Sequence, residues 1–179
     1  MARGDLKDPR GYDETYAGTC QRKSIMLLLG MANRRGWRIS TADISSAFLY
    51  GNLDVPIYTR MPDGNVVKLL KSSYGLKQAA HEFKDLLNNS LSAMGFKRLC
   101  SGSSVYLGYH YGVNNLVTSH VDDLLFLSPD VETIKEIFDT LSETYTMTFQ
   151  QDATEYLGYT LSLEMKRERL FLLVRKGVS

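Results

Sequence analysis

Asp122 and Asp123 lie side by side between two apolar runs, Leu116-Val117-Thr118-Ser119-His120-Val121 and Leu124-Leu125-Phe126-Leu127. Each run has strand length, so the segment reads as a β-hairpin with a carboxylate pair at its tip. Two explanations are open. Aspartate is a common turn residue, because its side chain hydrogen-bonds nearby backbone. But a two-residue hairpin turn favours Asn-Gly or Asp-Gly, and Asp-Asp puts like charges together. Such neighbours repel and raise one pKa unless a cation neutralises them. A divalent metal would do so.

Asp43 adds a third acid. Trp37-Arg38-Ile39-Ser40-Thr41-Ala42-Asp43-Ile44 reads as a strand ending in a carboxylate, and Ser45 to Gly51 as a short helical turn stopped by glycine. Three carboxylates on two strands suit hard, oxygen-loving Mg²⁺. Two such ions clamp the attacking and leaving oxygens of a phosphoryl transfer. Asp43 equally suits an N-cap for the turn that follows it.

The elements that must hold these acids are legible in outline. Residues 21–35 form an amphipathic helix on Ile25, Leu28, Leu29 and Ala32. Residues 56–61 and 66–70 are short strands around the turn Pro62-Asp63-Gly64-Asn65. Residues 77–94 are the clearest helix, with Ala80, Phe83, Leu87, Leu91 and Met94 at helical spacing and Gly95 as C-cap. Residues 104–111 and 116–119 are strands joined by Gly112-Val113-Asn114-Asn115. Ser128 caps a helix with Pro129 in its first position. Val131, Ile134, Phe138 and Leu141 form its apolar stripe. Residues 145–149, 156–163 and 169–174 are strands, the last two joined at Lys166-Arg167-Glu168. Helices interleave with antiparallel hairpins, so the expected fold class is α+β, an antiparallel sheet with helices packed on one face.

Composition is that of an ordinary globular chain, with 44% hydrophobic and 23% charged residues. No apolar run reaches membrane-spanning length and no secretory signal is present, so no membrane partner is expected. Cys20 and Cys100 stand apart, and His81, His110 and His120 make no zinc pattern. The net charge of +1 lacks the basic surplus of most nucleic-acid binders. Positive charge is local instead, around Arg34, Arg35 and Arg38 and again from Lys166 to Lys176.

Taken together, the motifs resemble the reverse transcriptase domain of copia-type LTR retrotransposon polyproteins. The matching blocks are Tyr12-Asp13-Glu14-Thr15-Tyr16-Ala17, Ala42-Asp43-Ile44-Ser45-Ser46-Ala47-Phe48-Leu49-Tyr50-Gly51 and Ile57-Tyr58-Thr59-Arg60-Met61-Pro62. Lys71-Ser72-Ser73-Tyr74-Gly75-Leu76-Lys77-Gln78-Ala79, His120-Val121-Asp122-Asp123 and Tyr156-Leu157-Gly158 follow in the family's order. Each block alone is weak; the ordered set is specific.

The resemblance implies a right-hand polymerase palm with partial fingers. Asp43, Asp122 and Asp123 would be the catalytic, metal-holding acids, with Asp122 the more direct ligand of its pair. The cofactor would be two Mg²⁺ ions, with Mn²⁺ an acceptable substitute. Phe48 would lie under the incoming sugar and exclude a ribose 2′-OH; as a residue type it equally suits a core. Gly75 and Lys77 would approach the nucleotide, though they also read as a helix start with a solvated lysine. His120, Leu157 and Gly158 would lie near the primer terminus. The implied partners are an RNA or DNA template-primer, deoxynucleoside triphosphates and the rest of a polyprotein. The implied setting is intracellular, in a cytoplasmic particle or the nucleus.

The family's remaining fingers strands lie upstream of Ala2-Arg3-Gly4, and its thumb and ribonuclease H domain lie beyond Val174. The expected organisation is therefore one fingers and palm domain over residues 1–179, truncated at both ends. His120 stands where the family usually has tyrosine, Ala80 where it has proline and His81 where it has arginine. Two functions remain: an RNA-directed DNA polymerase domain, and a non-catalytic palm relic or co-opted nucleic-acid-binding fragment.

Overall fold

Burial on both sides of its central strands organises the larger part of the structure, a computed structural model. It describes residues 20–51, 56, 58–71, 79–99, 104–166 and 169–176, with side chains described as far as Ser162. The chain divides into two compact units, Met1–Ala17 with Ser46–Ser90 and Gly18–Ser45 with Leu91–Ser179.

The second unit opens with α1, Arg22–Arg35, whose buried residues Ile25, Leu29 and Ala32 recur at helical spacing. Gly36 ends it with a φ of 65°, its N–H donating to the carbonyls of Ala32 and Asn33. Arg34 and Arg35 suit the negative end of the helix dipole. The chain then enters β1, Arg38–Ile44. With β4 (Lys97–Arg98), β5 (Val105–His110), β6 (Val113–His120), β7 (Asp123–Ser128) and β8 (Met147–Gln150), it builds an antiparallel sheet in the order β4-β5-β6-β7-β1-β8.

Register assigns the two faces of this sheet. Ile39, Thr41 and Asp43 stand opposite Leu127, Leu125 and Asp123, so these six side chains share one face. Ser40 and Ala42, opposite Phe126 and Leu124, share the other. The buried residues of α1 pack with Ile39, Leu125 and Leu127 on the first face. On the second lies α3, Val131–Ser142. Its Phe138 ring is 4.7 Å from that of Phe149, which stands opposite Ala42. Helices therefore cover both faces, and the expected one-sided cover is corrected. Leu124 to Leu127 are all buried. A strand apolar on both sides needs cover on both sides.

A three-stranded sheet, β11-β10-β9, completes this unit, with β9 Glu155–Tyr156, β10 Tyr159–Lys166 and β11 Arg169–Lys176. The single strand expected over 156–163 is thus two strands around a turn at Leu157 and Gly158, whose φ values are 49° and 75°. The loop expected at 112–115 is a two-residue turn at Tyr111 and Gly112, both with positive φ, and Val113 already belongs to β6. The cap of α3 is Asp130, not Ser128. The Asp130 carboxylate accepts from the amides of Glu132 and Thr133, while Ser128 Oγ accepts from the Asp130 amide. An ionised side chain at the helix N-terminus takes two free amides at once.

The first unit holds a 3-10 turn at Ala47–Tyr50, the two-stranded sheet of β2 (Tyr58–Arg60) and β3 (Val66–Lys68), and most of α2, Ala79–Ala93. Asp63 accepts from the Asn65 amide at 3.0 Å inside the expected turn. Phe83, Leu87 and Leu91 of α2 are buried, as their spacing predicts, while Ala80 and Met94 are only half-buried and Ala79 takes the buried place expected for Ala80. No helix among the described residues is long and apolar enough to cross a membrane.

After α2, Gly95 takes a φ of 84° and Phe96 turns back, its amide donating to the Leu91 carbonyl at 3.0 Å. The Phe96 ring then lies against bare backbone at Gly108 of β5, with its centroid 4.9 Å from that of His110. A Cβ at Gly108 would stand 2.7 Å from two carbons of that ring. Gly108→Ala is expected to cost about 1–3 kcal/mol through overpacking. Urea unfolding measures it, and an unchanged midpoint would show that the ring moves freely.

Candidate active site

Asp43 is the penultimate residue of β1 and Asp123 the first of β7, and the two are direct cross-strand partners. Asp122 precedes Asp123 in the turn, and its carbonyl accepts the Ile44 amide at 3.0 Å. The three acids named from the sequence are therefore brought to one sheet end. The hairpin differs in detail from an acid-tipped turn. Its turn residues are Val121 and Asp122, while Asp123 already sits in the ladder opposite His120. Val121 carries the left-handed conformation, with φ of 62°. A β-branched residue there is a strained choice, costing about 1–3 kcal/mol.

This register decides the electrostatics. Asp43 is exposed and Asp123 is half-buried. Burial pushes the Asp123 carboxyl above the ordinary range. The charges of Asp122 and then Asp43 push it further, and His120 opposes them. The His120 ring is held by its Nδ1, 3.3 Å from the Cys20 carbonyl, so in the tautomer protonated there it donates to that oxygen.

A cleft of about 320 Å³ opens beside the acids. Asp43 and Asp123 line it, and so do Tyr156, Leu157 and Gly158 of the β9–β10 hairpin. Tyr156 is 4% exposed and its hydroxyl meets no partner among the described residues. Burial and the Asp123 charge both push that phenol far above its ordinary pKa, so it stays a neutral donor.

The donor set is chemically right for a hard divalent cation: carboxylate oxygens, crowded and mutually repelling. Among the described residues no three acidic, histidine or cysteine side chains are grouped closely enough to hold an ion by themselves. Magnesium commonly keeps several waters and takes only one or two carboxylates, completing its shell from substrate phosphates. The Asp43–Asp123 pair meets that more modest requirement.

Of the other residues named from the sequence, His120, Leu157 and Gly158 belong to the acid end of the second unit. Phe48 sits in the 3-10 turn of the first unit, partly buried. Gly75 and Lys77 lie outside the described residues. Sequence reasoning missed Thr148 and Gln150, which line the cleft from β8. Their period-2 alternation was visible, but nothing in it says which strand they pair with.

A family model described as reverse transcriptase (RNA-dependent DNA polymerase) matches residues 6–173. The retrovirus-related Pol polyprotein from transposon RE2 of Arabidopsis thaliana is 31% identical over 93% of this chain. That from transposon TNT 1-94 of Nicotiana tabacum is 27% identical over 93%. The transposon Ty1-DR5 Gag-Pol polyprotein of Saccharomyces cerevisiae is 29% identical over 94%. The chain spans only 12%, 13% and 10% of the lengths of these three curated relatives.

A raised carboxyl pKa has a definite sign in stability. The folded state holds the proton more tightly, so stability falls as pH rises from the ordinary carboxylate range through the folded pKa. Asp123→Asn in metal-free buffer should therefore melt higher than the parent at neutral pH. The gain should vanish in acid, below the ordinary carboxylate pKa. Thermal melts across pH measure this, and a variant that melts lower at neutral pH would make Asp123 a structural partner instead.

Proposed function

The chain belongs to the reverse transcriptase (RNA-dependent DNA polymerase) family, and we propose that it forms the acid-bearing palm, with part of the fingers, of a copia-type RNA-directed DNA polymerase. The reaction is transfer of a nucleotidyl group from a deoxynucleoside triphosphate to a primer 3′-OH, templated by RNA or DNA. One observation carries this reading: Asp43 and Asp123 are cross-strand partners, with Asp122 in the adjoining turn.

In this reading Asp43, Asp122 and Asp123 would hold two Mg²⁺ ions, or Mn²⁺ in their place. Bound there, the ions would supply positive charge to lower the 3′-OH pKa and stabilise departing pyrophosphate. The acids fix where that charge sits. His120 and the Leu157–Gly158 turn flank the primer terminus. The family resemblance assigns Phe48 to the sugar of the incoming nucleotide, where its bulk would exclude a 2′-OH, and would give Gly75 and Lys77 nucleotide-binding roles. The substrates place the work inside the cell, in a particle or the nucleus, within a larger polyprotein.

The competing reading is a palm that binds nucleic acid and polymerises nothing. Its support is that His120, Ala80 and His81 depart from the residues usual at those places in the family.

Primer extension on an RNA template with Mg²⁺ or Mn²⁺ separates the two, run on this chain and on one extended at both ends. Extension is expected, and Asp43→Asn or Asp123→Asn should lower it by about 100-fold or more, since losing even a partner behind a metal ligand costs about 10–100-fold. Duplex binding without extension by either parent would establish the competing reading. In the active form, Phe48→Val should raise ribonucleotide incorporation relative to deoxyribonucleotide by roughly tenfold or more. A well-folded variant that still rejects ribonucleotides as strongly would remove Phe48 from the sugar site.

A further inference from the structure

The segment between β8 and β9 is tied to the acid-bearing strand at three successive levels. Arg38 pairs with Asp152, whose φ of 52° is a left-handed conformation that aspartate tolerates. The Ala153 amide donates to the Ile39 carbonyl at 2.8 Å. Gln150, opposite Thr41 in register, makes the third tie with its side chain. Its Oε1 accepts from Thr41 Oγ1 at 3.4 Å, and its Nε2 donates to Thr154 Oγ1 at 3.0 Å. The Thr154 carbonyl in turn accepts the Leu161 amide of β10 at 2.7 Å.

We infer that Gln150 is a positioning residue: its carboxamide sets the Leu157–Gly158 turn across the cleft from Asp43 and Asp123. Thr41 and Gln150 both line that cleft, and Thr41 shares its sheet face with Asp43. Thr154 lies just ahead of β9, the strand that leads into the turn. The bridge therefore runs from the acid strand to the hairpin along the cleft itself. The carboxamide completes it by accepting from one hydroxyl and donating to the other, and it does so without charge. A carboxylate at this position would add to the negative charge of Asp43, Asp123 and Glu155 lining the same cleft.

Resting on the polymerase reading, this makes Gln150 the residue that positions the Leu157–Gly158 turn for a primer end. The spacing between the acids and the turn is then what a recessed 3′ terminus meets.

The test compares the full chain with Gln150→Met and Thr154→Val, which keep shape and lose the bridge, and with Thr154→Ser, which keeps the hydroxyl. Amide exchange is followed at Ala153 and Leu161, alongside the global melting temperature. Binding is measured by anisotropy with two probes, a DNA primer recessed on an RNA template and the same duplex with blunt ends. In the Met and Val variants both amides should exchange about tenfold faster at an unchanged melting temperature. The recessed duplex should bind at least fivefold more weakly and the blunt duplex equally well, with Thr154→Ser matching the parent. Unchanged exchange at both amides overturns the bridge as a positioning element. Faster exchange with unchanged recessed-end binding, or equal weakening of both duplexes, overturns its role at the primer end. A parent that binds neither duplex overturns the polymerase reading and the primer assignment with it, while the exchange result still decides the bridge.

Discussion

Asp43 and Asp123 face each other across neighbouring antiparallel strands, and this like-charged pair is the constraint that the surrounding structure serves. Like charges directly opposite in a sheet destabilise it. Something stronger must impose the register. Leu124, Leu125, Phe126 and Leu127 follow Asp123 without interruption and are all buried, paired along β1 on one side and β6 on the other. A slip of one residue would carry Asp123 to the opposite face and move every apolar partner with it. The apolar pairing of the strand interiors thus holds the acids together at their ends. The strain at Val121 is a second local cost of the same arrangement.

Cover on both faces makes this possible. With α1 on one face and α3 on the other, the central strands lose water from both sides. Where the cover by α1 ends, the β9–β10 hairpin takes over. Its buried Tyr156 belongs to the same core as Ile25 and Leu29, while the turn beyond it lines the cleft. The acids therefore sit where a dry core gives way to an open cleft. That position raises the Asp123 carboxyl and leaves Asp43 in reach of solvent.

Much of this was legible in advance, for identifiable reasons. Apolar spacing placed α1 and α2 within a residue or two, because one buried stripe every 3.6 residues leaves a clear period. The strand ending in Asp43 and the Asp122–Asp123 hairpin were legible from their apolar runs. Positive-φ turns were harder. Tyr111 and Leu157 adopt φ values of 51° and 49°, which neither residue type signals, so two hairpins read as a long loop and an unbroken strand. Ser128 and Asp130 both suit a helix cap, and only the geometry shows the Asp130 carboxylate over two amides.

By itself the sequence determined the family, the α+β class and the placing of Asp43, Asp122 and Asp123 near strand ends, because each is written in residue types at short range or in ordered motifs. Tertiary structure decided which acids oppose each other, since register between β1 and β7 is a long-range choice among apolar pairings. It also decided that both sheet faces are covered. The apolar run of β7 states that both sides are buried, but not what buries them. The Gln150 bridge belongs to the same category. Thr41, Gln150 and Thr154 have no pattern in common along the chain, and they meet only because β8 pairs with β1.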